Sequence, residues 1–298
     1  SDEAALNDVL RLSRGMTYKN AMAGLPLGGG KSVIIGDAKK IKSEQLFRAF
    51  GRMVHRLSGS YYSAEDVNIT TGDIMIVNKE TPYVAGLEGK SGNPAPFTAL
   101  GTYRGIKAAA MHQFGSDDLT GKTVAIQGLG SVGFYLCEHL HKDGAKLVVT
   151  DINQDAVERA VSQFGAVAVG LDEIYAAEAD IYAPCALGAT INDDTIPQLK
   201  ARIVAGCANN QLKEARHGEV LRQKGILYAP DYVINAGGII NVAFEMRAEG
   251  YSEPESTAKV MAIYDTLLNI FQRADNENKP TSVIADVMAQ EIIQRGKA

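Results

Sequence analysis

The sequence predicts an α/β protein in two domains, and three observations carry that expectation. From Lys122 onward short β-branched runs alternate with helical patterns, the signature of a parallel sheet built from βαβ units. Residues 86–96, GLEGKSGNPAP, hold three glycines and two prolines, the composition of a connector. The 298 residues are enough for two cores. The boundaries follow: an N-terminal α/β domain over 1–96, a doubly wound domain over 97–280, and a last helix over 281–298 that can pack back on the first domain.

The elements can be justified in order. Leu6, Val9 and Leu10 open a helix, and the triple glycine Gly28–Gly30 leads into a short strand over 32–35 whose Val33, Ile34 and Ile35 read as buried. Leu46, Phe47, Phe50, Met53, Val54 and Leu57 recur at helical spacing and must present one face inward. A short strand, Tyr61 to Ala64, ends in Glu65 and Asp66, and a helical stretch over 72–80 follows. Past the connector, Leu100, Tyr103, Ile106, Ala110 and Phe114 mark a helix. Strands are expected at 122–127, 146–150, 180–183 and 203–205, with weaker ones near 167 and 227. The final third is helical, carried by Val260, Ile263, Tyr264, Leu267 and Phe271 and then by Ile284, Val287, Met288 and Ile292.

Composition narrows the function classes. With 46% apolar residues, 22% charged residues, a net charge of −5 and no basic block, the chain reads as a soluble globular protein whose partners are small molecules rather than nucleic acid or an anionic membrane. Cys137, Cys185 and Cys207 show no metal or CxxC spacing, which argues against a disulfide framework and casts each as a small buried hydrophobe. The five histidines show no metal pattern either, so no metal is expected. No apolar run reaches the ~18 residues of a membrane span, and no signal-peptide pattern precedes the first helix, so a cytoplasmic location is expected.

Chemistry concentrates at two glycine-rich turns. Lys31 follows Gly28, Gly29 and Gly30 at the edge of the expected strand, with Lys19 on the helix before it. A phosphate-cradling P-loop is excluded, because Leu25 holds the place of its first glycine. The strand Thr123 to Gln127 runs into Gly128, Gly130 and Gly133 in GxGxxG spacing, and a helix follows. In a Rossmann-type fold the first glycine makes the turn, the second admits a pyrophosphate and the third packs helix on strand. Asp151, at the end of the next strand, suits a ribose, and no cation follows until Arg159, so NAD is favoured over NADP. The expected NAD site comprises Gly128, Gly130, Ser131, Val132, Gly133, Asp151 and Ile152, with Ala208, Asn209 and Asn235 from two polar loops at the sheet's carboxyl edge.

In order along the chain, GMTYKNA, GLPLGGGK, AEDV, GLGSVG, TDIN, IYAPCALGA, ANNQL and APDYVINAGG resemble the motifs of the glutamate/leucine/phenylalanine/valine dehydrogenase superfamily, most closely those of its leucine-using members. The resemblance implies NAD-dependent, reversible oxidative deamination of an L-amino acid by a homo-oligomer with a substrate domain and a nucleotide domain. By motif, Lys19 would bind the substrate α-carboxylate, Lys31 would be the catalytic lysine, and Asp66 would exchange a proton with the substrate nitrogen. Asn210 would hydrogen-bond the substrate, and Thr98 would meet the nicotinamide amide. A solvated lysine, with a pKa of about 10.4, is a poor base. Desolvation and a neighbouring cation such as Lys19 would both lower that value into a useful range.

Ala64, Ile239 and Val242 are the implied pocket walls, and glutamate-using relatives carry a hydroxyl where this chain has Val242. An apolar side chain of the leucine, valine or isoleucine type is therefore expected, since a buried unpaired carboxylate is costly. An aromatic amino acid, phenylalanine or tryptophan, is the alternative, because DVNIT and KSGNPAP resemble the tryptophan-using members. A third reading, a catalytically silent NAD-binding protein, is opposed by the joint presence of Lys19, Lys31, Asp66 and Asn210. The chain departs from the family at Phe244, where most relatives have Asp, and the family's N-terminal segment is expected upstream of residue 1.

Overall fold

The computed structural model describes residues 2–66, 68–87, 91–247 and 249–296. Part of the expected connector, residues 88–90, lies outside them. The helices are α1 (Asp2–Met22), α2 (Ala38–Ile41), α3 (Glu44–Arg56), α4 (Thr71–Asn78) and α5 (Ala95–Phe114) before the first strand. Then come β1 (Thr123–Gln127), α6 (Ser131–Lys142), β2 (Lys146–Thr150), α7 (Gln154–Phe164), β3 (Val167–Ala168), β4 (Ile181–Pro184) and β5 (Ile203–Val204). The remainder is α8 (Arg216–Gln223), β6 (Leu227–Tyr228), α9 (Asp231–Ile234), α10 (Gly237–Ala243), α11 (Glu253–Met261), α12 (Ile263–Glu277) and α13 (Thr281–Arg295).

The chain divides into two compact units, residues 1–94 with 239–256, and residues 95–238 with 257–298. The segment 239–256, expected inside a continuous second domain, therefore groups with the first unit. Residues 235–242, read from the sequence as a polar loop, fold instead mostly into α10, held by bonds from Asn241 to residues far along the chain that the local sequence does not show. The last helix groups with the second unit, where α13 packs against α12, α8 and β6.

In the first unit Phe47, Ile74, Val77, Val84 and Leu87 form a small core, with Ile34, Phe50, Ile69 and Ile76 around it. Ser43 caps α3 by accepting from the Leu46 amide, and Thr70 and Asp73 form a capping box that opens α4. Gly51 lets these two helices meet, since a Cβ there would stand 2.9 Å from the Val77 carbonyl oxygen. The strand expected at 32–35 does not form: no bridge involves these residues, and Val33 and Ile35 are exposed. A strand needs a hydrogen-bonded neighbour, and none lies beside this stretch among the described residues. The strand expected at 61–64 reduces to one bridge, Ser63 to Val84.

The second unit is built on one six-stranded sheet in the order β3-β2-β1-β4-β5-β6, with every pairing parallel. All six strands lie where the β-branched runs predict them. The chain proceeds outward one way from β1 and the other way from β4, so the order reverses between these two strands; ligands of open α/β sheets bind outside the carboxyl ends at such a point. β4 is buried along its whole length, as a central parallel strand covered on both faces should be. Register sets the site: Gln127 pairs with Thr150, which brings the turn after β1 level with Asp151. On one face of the sheet, small residues let α5 approach its neighbours, as at Gly105, where a Cβ would lie 2.4 Å from Ile234.

Candidate active site

In the first unit two side chains of α1 hold the backbone of the glycine turn. Asn20 Nδ2 donates to the Gly28 carbonyl at 2.5 Å, and the Lys31 amide donates to Ser13 Oγ at 3.1 Å. A Cβ at Gly29 would stand 2.1 Å from the Thr17 nitrogen, and one at Gly30 would stand 2.9 Å from the Tyr61 ring. These two glycines serve close approach to the protein's own helix and ring, not a left-handed conformation. Ser13 and Asn20 were invisible to motif reading, because their partners lie far along the chain.

That anchoring fixes where Lys31 emerges. Its ammonium contacts Asp66 Oδ2, with the lysine side chain 26% exposed and the aspartate 48%. Burial lowers the Lys31 pKa below the ordinary lysine value of 10.5. The Asp66 carboxylate favours the charged form and pulls the other way, so desolvation prevails. Burial is the cause of the lowering. Lys19 is half-buried in the last turn of α1, immediately before Asn20. Ala64 is exposed just past the Ser63 bridge. Ile239 and Val242 are on α10, half-buried and buried respectively, and belong to this unit with the lysines. Asn210, the remaining expected substrate residue, belongs to the second unit.

The second unit gathers the expected nucleotide residues. Gly128 has φ +105° and donates its amide to the Thr150 carbonyl at 2.9 Å. A Cβ at Gly133 would stand 2.1 Å from the Gly128 carbonyl oxygen, so the third glycine seats α6 on the turn. Gly130 differs: a Cβ there would meet nothing within 4 Å. No side chain caps the amides that open α6 beyond it, at Ser131, Val132 and Gly133. Asp151 accepts the Leu129 amide at 2.5 Å and the Asn153 amide at 2.7 Å. Two backbone donors orient this carboxylate and leave lone pairs for a ligand. Ile152 beside it is 85% exposed.

The two polar loops join. Asn235 Nδ2 donates to Asn209 Oδ1 at 2.8 Å and to the Cys207 carbonyl at 3.1 Å, while the buried Ala208 amide bonds the Pro184 carbonyl at 2.9 Å. Asn235 is 6% exposed, and its Oδ1 has no hydrogen-bond donor among the described residues. A buried acceptor left this way is costly unless a ligand satisfies it. Asn210 adopts φ +52° and accepts the Ala189 amide at 2.7 Å. The loop depends on a residue that motif reading passed over: Gln211, fully buried, donates to the carbonyls of Gly206 at 2.8 Å and Ala208 at 2.9 Å. Thr98 lies near the start of α5, where Gly237 abuts its backbone; a Cβ on Gly237 would lie 3.0 Å from Thr98 Cα. The residues present therefore fit a dinucleotide: an open helix N-terminus, a glycine with space before it, an oriented carboxylate and an unsatisfied buried amide oxygen.

Among the described residues one cluster has metal-ligand composition, Asp193, Glu214 and His217. The Glu214 amide donates to His217 Nδ1 at 3.0 Å, which places the ring proton on Nε2, and Arg216 binds both carboxylates. With its ligand nitrogen protonated and its carboxylates paired, the cluster is a salt-bridge network. Of the cysteines, Cys137 and Cys207 are buried as expected, but Cys185 is only half-buried at the end of β4.

The family model described as Glu/Leu/Phe/Val dehydrogenase, dimerisation domain, matches residues 1–86, and the model described as Glutamate/Leucine/Phenylalanine/Valine dehydrogenase matches residues 93–157 and 149–294. A leucine dehydrogenase of Geobacillus stearothermophilus is 58% identical over 297 residues, covering 99% of this chain and 80% of that protein. An L-tryptophan dehydrogenase of Nostoc punctiforme is 50% identical over 298 residues, covering 100% of this chain and 84% of that protein. The crystal structure of L-tryptophan dehydrogenase from Nostoc punctiforme matches with a TM-score of 0.90 at 48% identity, covering 100% of this chain and 86% of that one.

Proposed function

We propose that this chain, which belongs to the glutamate/leucine/phenylalanine/valine dehydrogenase family, is a leucine dehydrogenase: it oxidises an apolar L-amino acid of the leucine, valine or isoleucine type to its 2-oxo acid and ammonia, reversibly, with NAD. The observation that carries the reading is Lys31, half-buried behind a glycine turn, lowered in pKa and in contact with Asp66. When bound, the nicotinamide cofactor accepts the hydride from the substrate α-carbon. The protein's residues do the rest. Lys19 holds the α-carboxylate as a point charge. Lys31, as the neutral amine, takes the proton of the water that attacks the iminium carbon. Asp66 balances the charge of Lys31 and passes a proton to the leaving nitrogen, and Asn210 hydrogen-bonds the substrate. Gly130 and the amides opening α6 hold the pyrophosphate, and Asp151 accepts from the adenosine ribose and repels a 2′-phosphate. The exposed Ile152 covers the adenine, Asn235 and Asn209 border the cofactor, and Thr98 meets the nicotinamide amide.

Ala64, Ile239 and Val242 offer no partner for a second carboxylate, which supports an apolar substrate over glutamate. A second reading, an aromatic L-amino acid, is supported by the 50% identity to a tryptophan dehydrogenase. We place the protein in the cytoplasm as a homo-oligomer. Residues 1–86 match a family model described as a dimerisation domain, and among the described residues no helix is long and apolar enough to cross a membrane.

The test is NADH formation from leucine, valine, isoleucine, phenylalanine, tryptophan and glutamate, with Lys31→Ala alongside. Turnover is expected with the branched-chain substrates, and Lys31→Ala is expected to lose about 10²- to 10⁴-fold in kcat. No turnover with any substrate refutes the enzyme; an unchanged rate in Lys31→Ala refutes the mechanism.

A further inference from the structure

The chain passes between the two units at 94/95, 238/239 and 256/257, and one buried side chain in the first unit binds a residue near each passage. Asn241, fully buried, lies three residues past the second passage. Its Nδ2 donates to the Ser91 carbonyl at 3.1 Å, just before the first. Its Oδ1 accepts Ser256 Oγ at 3.0 Å, at the third, and the Tyr251 hydroxyl at 2.7 Å. Four residues on, Glu245 grips the same loop: its carboxylate accepts the Gly86 amide at 3.1 Å, the Ser91 amide at 3.1 Å and the Ser91 hydroxyl. Ser91 is 7% exposed and Ser256 is fully buried. Where Asn241, Ser91 and Ser256 are buried, a slip leaves a donor or acceptor unpaired away from water, which favours one arrangement, while Glu245 and Tyr251 are half-buried at its edge.

The latch acts on α10, which also carries Ile239 and Val242. We propose that Asn241 and Glu245 are positioning residues for substrate selection: by fixing this segment to Ser91 they hold the Ile239 and Val242 wall at one depth and so decide which side-chain length it admits. The inference rests on the function proposed above. In an apolar pocket one methylene is worth about 10- to 200-fold in discrimination, so a wall free to shift by a fraction of a methylene loses part of that factor. The two residues touch no substrate; they act through the helix.

Three substitutions in the full chain test this. Ser256→Ala and Tyr251→Phe each remove one donor to Asn241 Oδ1, and Glu245→Gln removes the charged acceptor from Ser91 and Gly86. Values of kcat and KM are measured for leucine, isoleucine, valine and phenylalanine at saturating NAD, well below each variant's melting temperature. The leucine-to-valine ratio of kcat/KM is expected to change by about tenfold through KM, while kcat for the preferred substrate stays within about threefold. A merely structural role would lower all substrates together. Active variants whose ratio stays within about twofold of wild type overturn the latch and leave the function standing. A wild-type chain that turns over none of these substrates refutes the function and the latch with it. Should Glu245→Gln fail to fold, the two milder variants carry the same test.

Discussion

The second and third glycines of the nucleotide turn, Gly130 and Gly133, make opposite predictions. At Gly133 a Cβ would stand 2.1 Å from the Gly128 carbonyl oxygen and 3.0 Å from its carbon. Ordinary contact begins at 3.4 Å, so Gly133→Ala must push α6 off the turn by about 1.3 Å at that point. Overpacking of this kind costs about 1–3 kcal/mol, which in a unit of this size lowers the melting temperature by roughly 2–12 °C. At Gly130 the same methyl meets nothing within 4 Å, and the backbone there, φ −64°, suits alanine. Gly130→Ala should therefore keep its stability within about 0.5 kcal/mol of wild type. It places the methyl where the pyrophosphate must approach, and a tenfold loss of NADH affinity, about 1.4 kcal/mol, is the expected result. Differential scanning calorimetry without cofactor and NADH fluorescence titration read the two quantities separately. Equal destabilisation of both variants, with NADH affinity unaltered in Gly130→Ala, would refute the assignment of roles.

Three further outcomes follow from the charges. Because burial lowers the Lys31 pKa, kcat/KM for deamination should rise with pH through a value below 10.5, since the ammonium present at lower pH cannot accept a proton; a pH–rate profile whose acid limb survives in Lys31→Ala contradicts the base role. Stability carries the same sign for this group: the unfolded chain binds the extra proton between the folded and unfolded pKa values, so stability increases as pH rises through that window, which denaturant titrations of wild type and Lys31→Ala would compare. Asp151→Asn keeps an acceptor oxygen for the Leu129 or Asn153 amide but removes the charge. The ratio of NAD to NADP efficiency should fall by about 10- to 100-fold, and an unchanged ratio in steady-state kinetics would show that Asp151 does not select the cofactor.

The sequence by itself determined the sheet and the nucleotide turn. Buried parallel strands are continuous apolar runs, so β1, β2, β4 and β5 stand out without any knowledge of their neighbours, and the roles of Gly128 and Gly133 follow from a turn that closes within six residues. Tertiary structure decided what depends on a distant partner. The apolar run at 32–35 has every local mark of a strand, but among the described residues no strand lies beside it. The stretch carrying Ile239 and Val242 reads as a polar loop, and its helix in the first unit is held by Asn241 and Glu245 meeting Ser91 across separations of 150 and 154 residues. Lys31 is the mixed case. Its glycine turn can be read from the chain, but its lowered pKa comes from burial, which prevails over the opposing pull of Asp66, 35 residues on, and desolvation is a property of everything packed around a side chain rather than of the residues next to it.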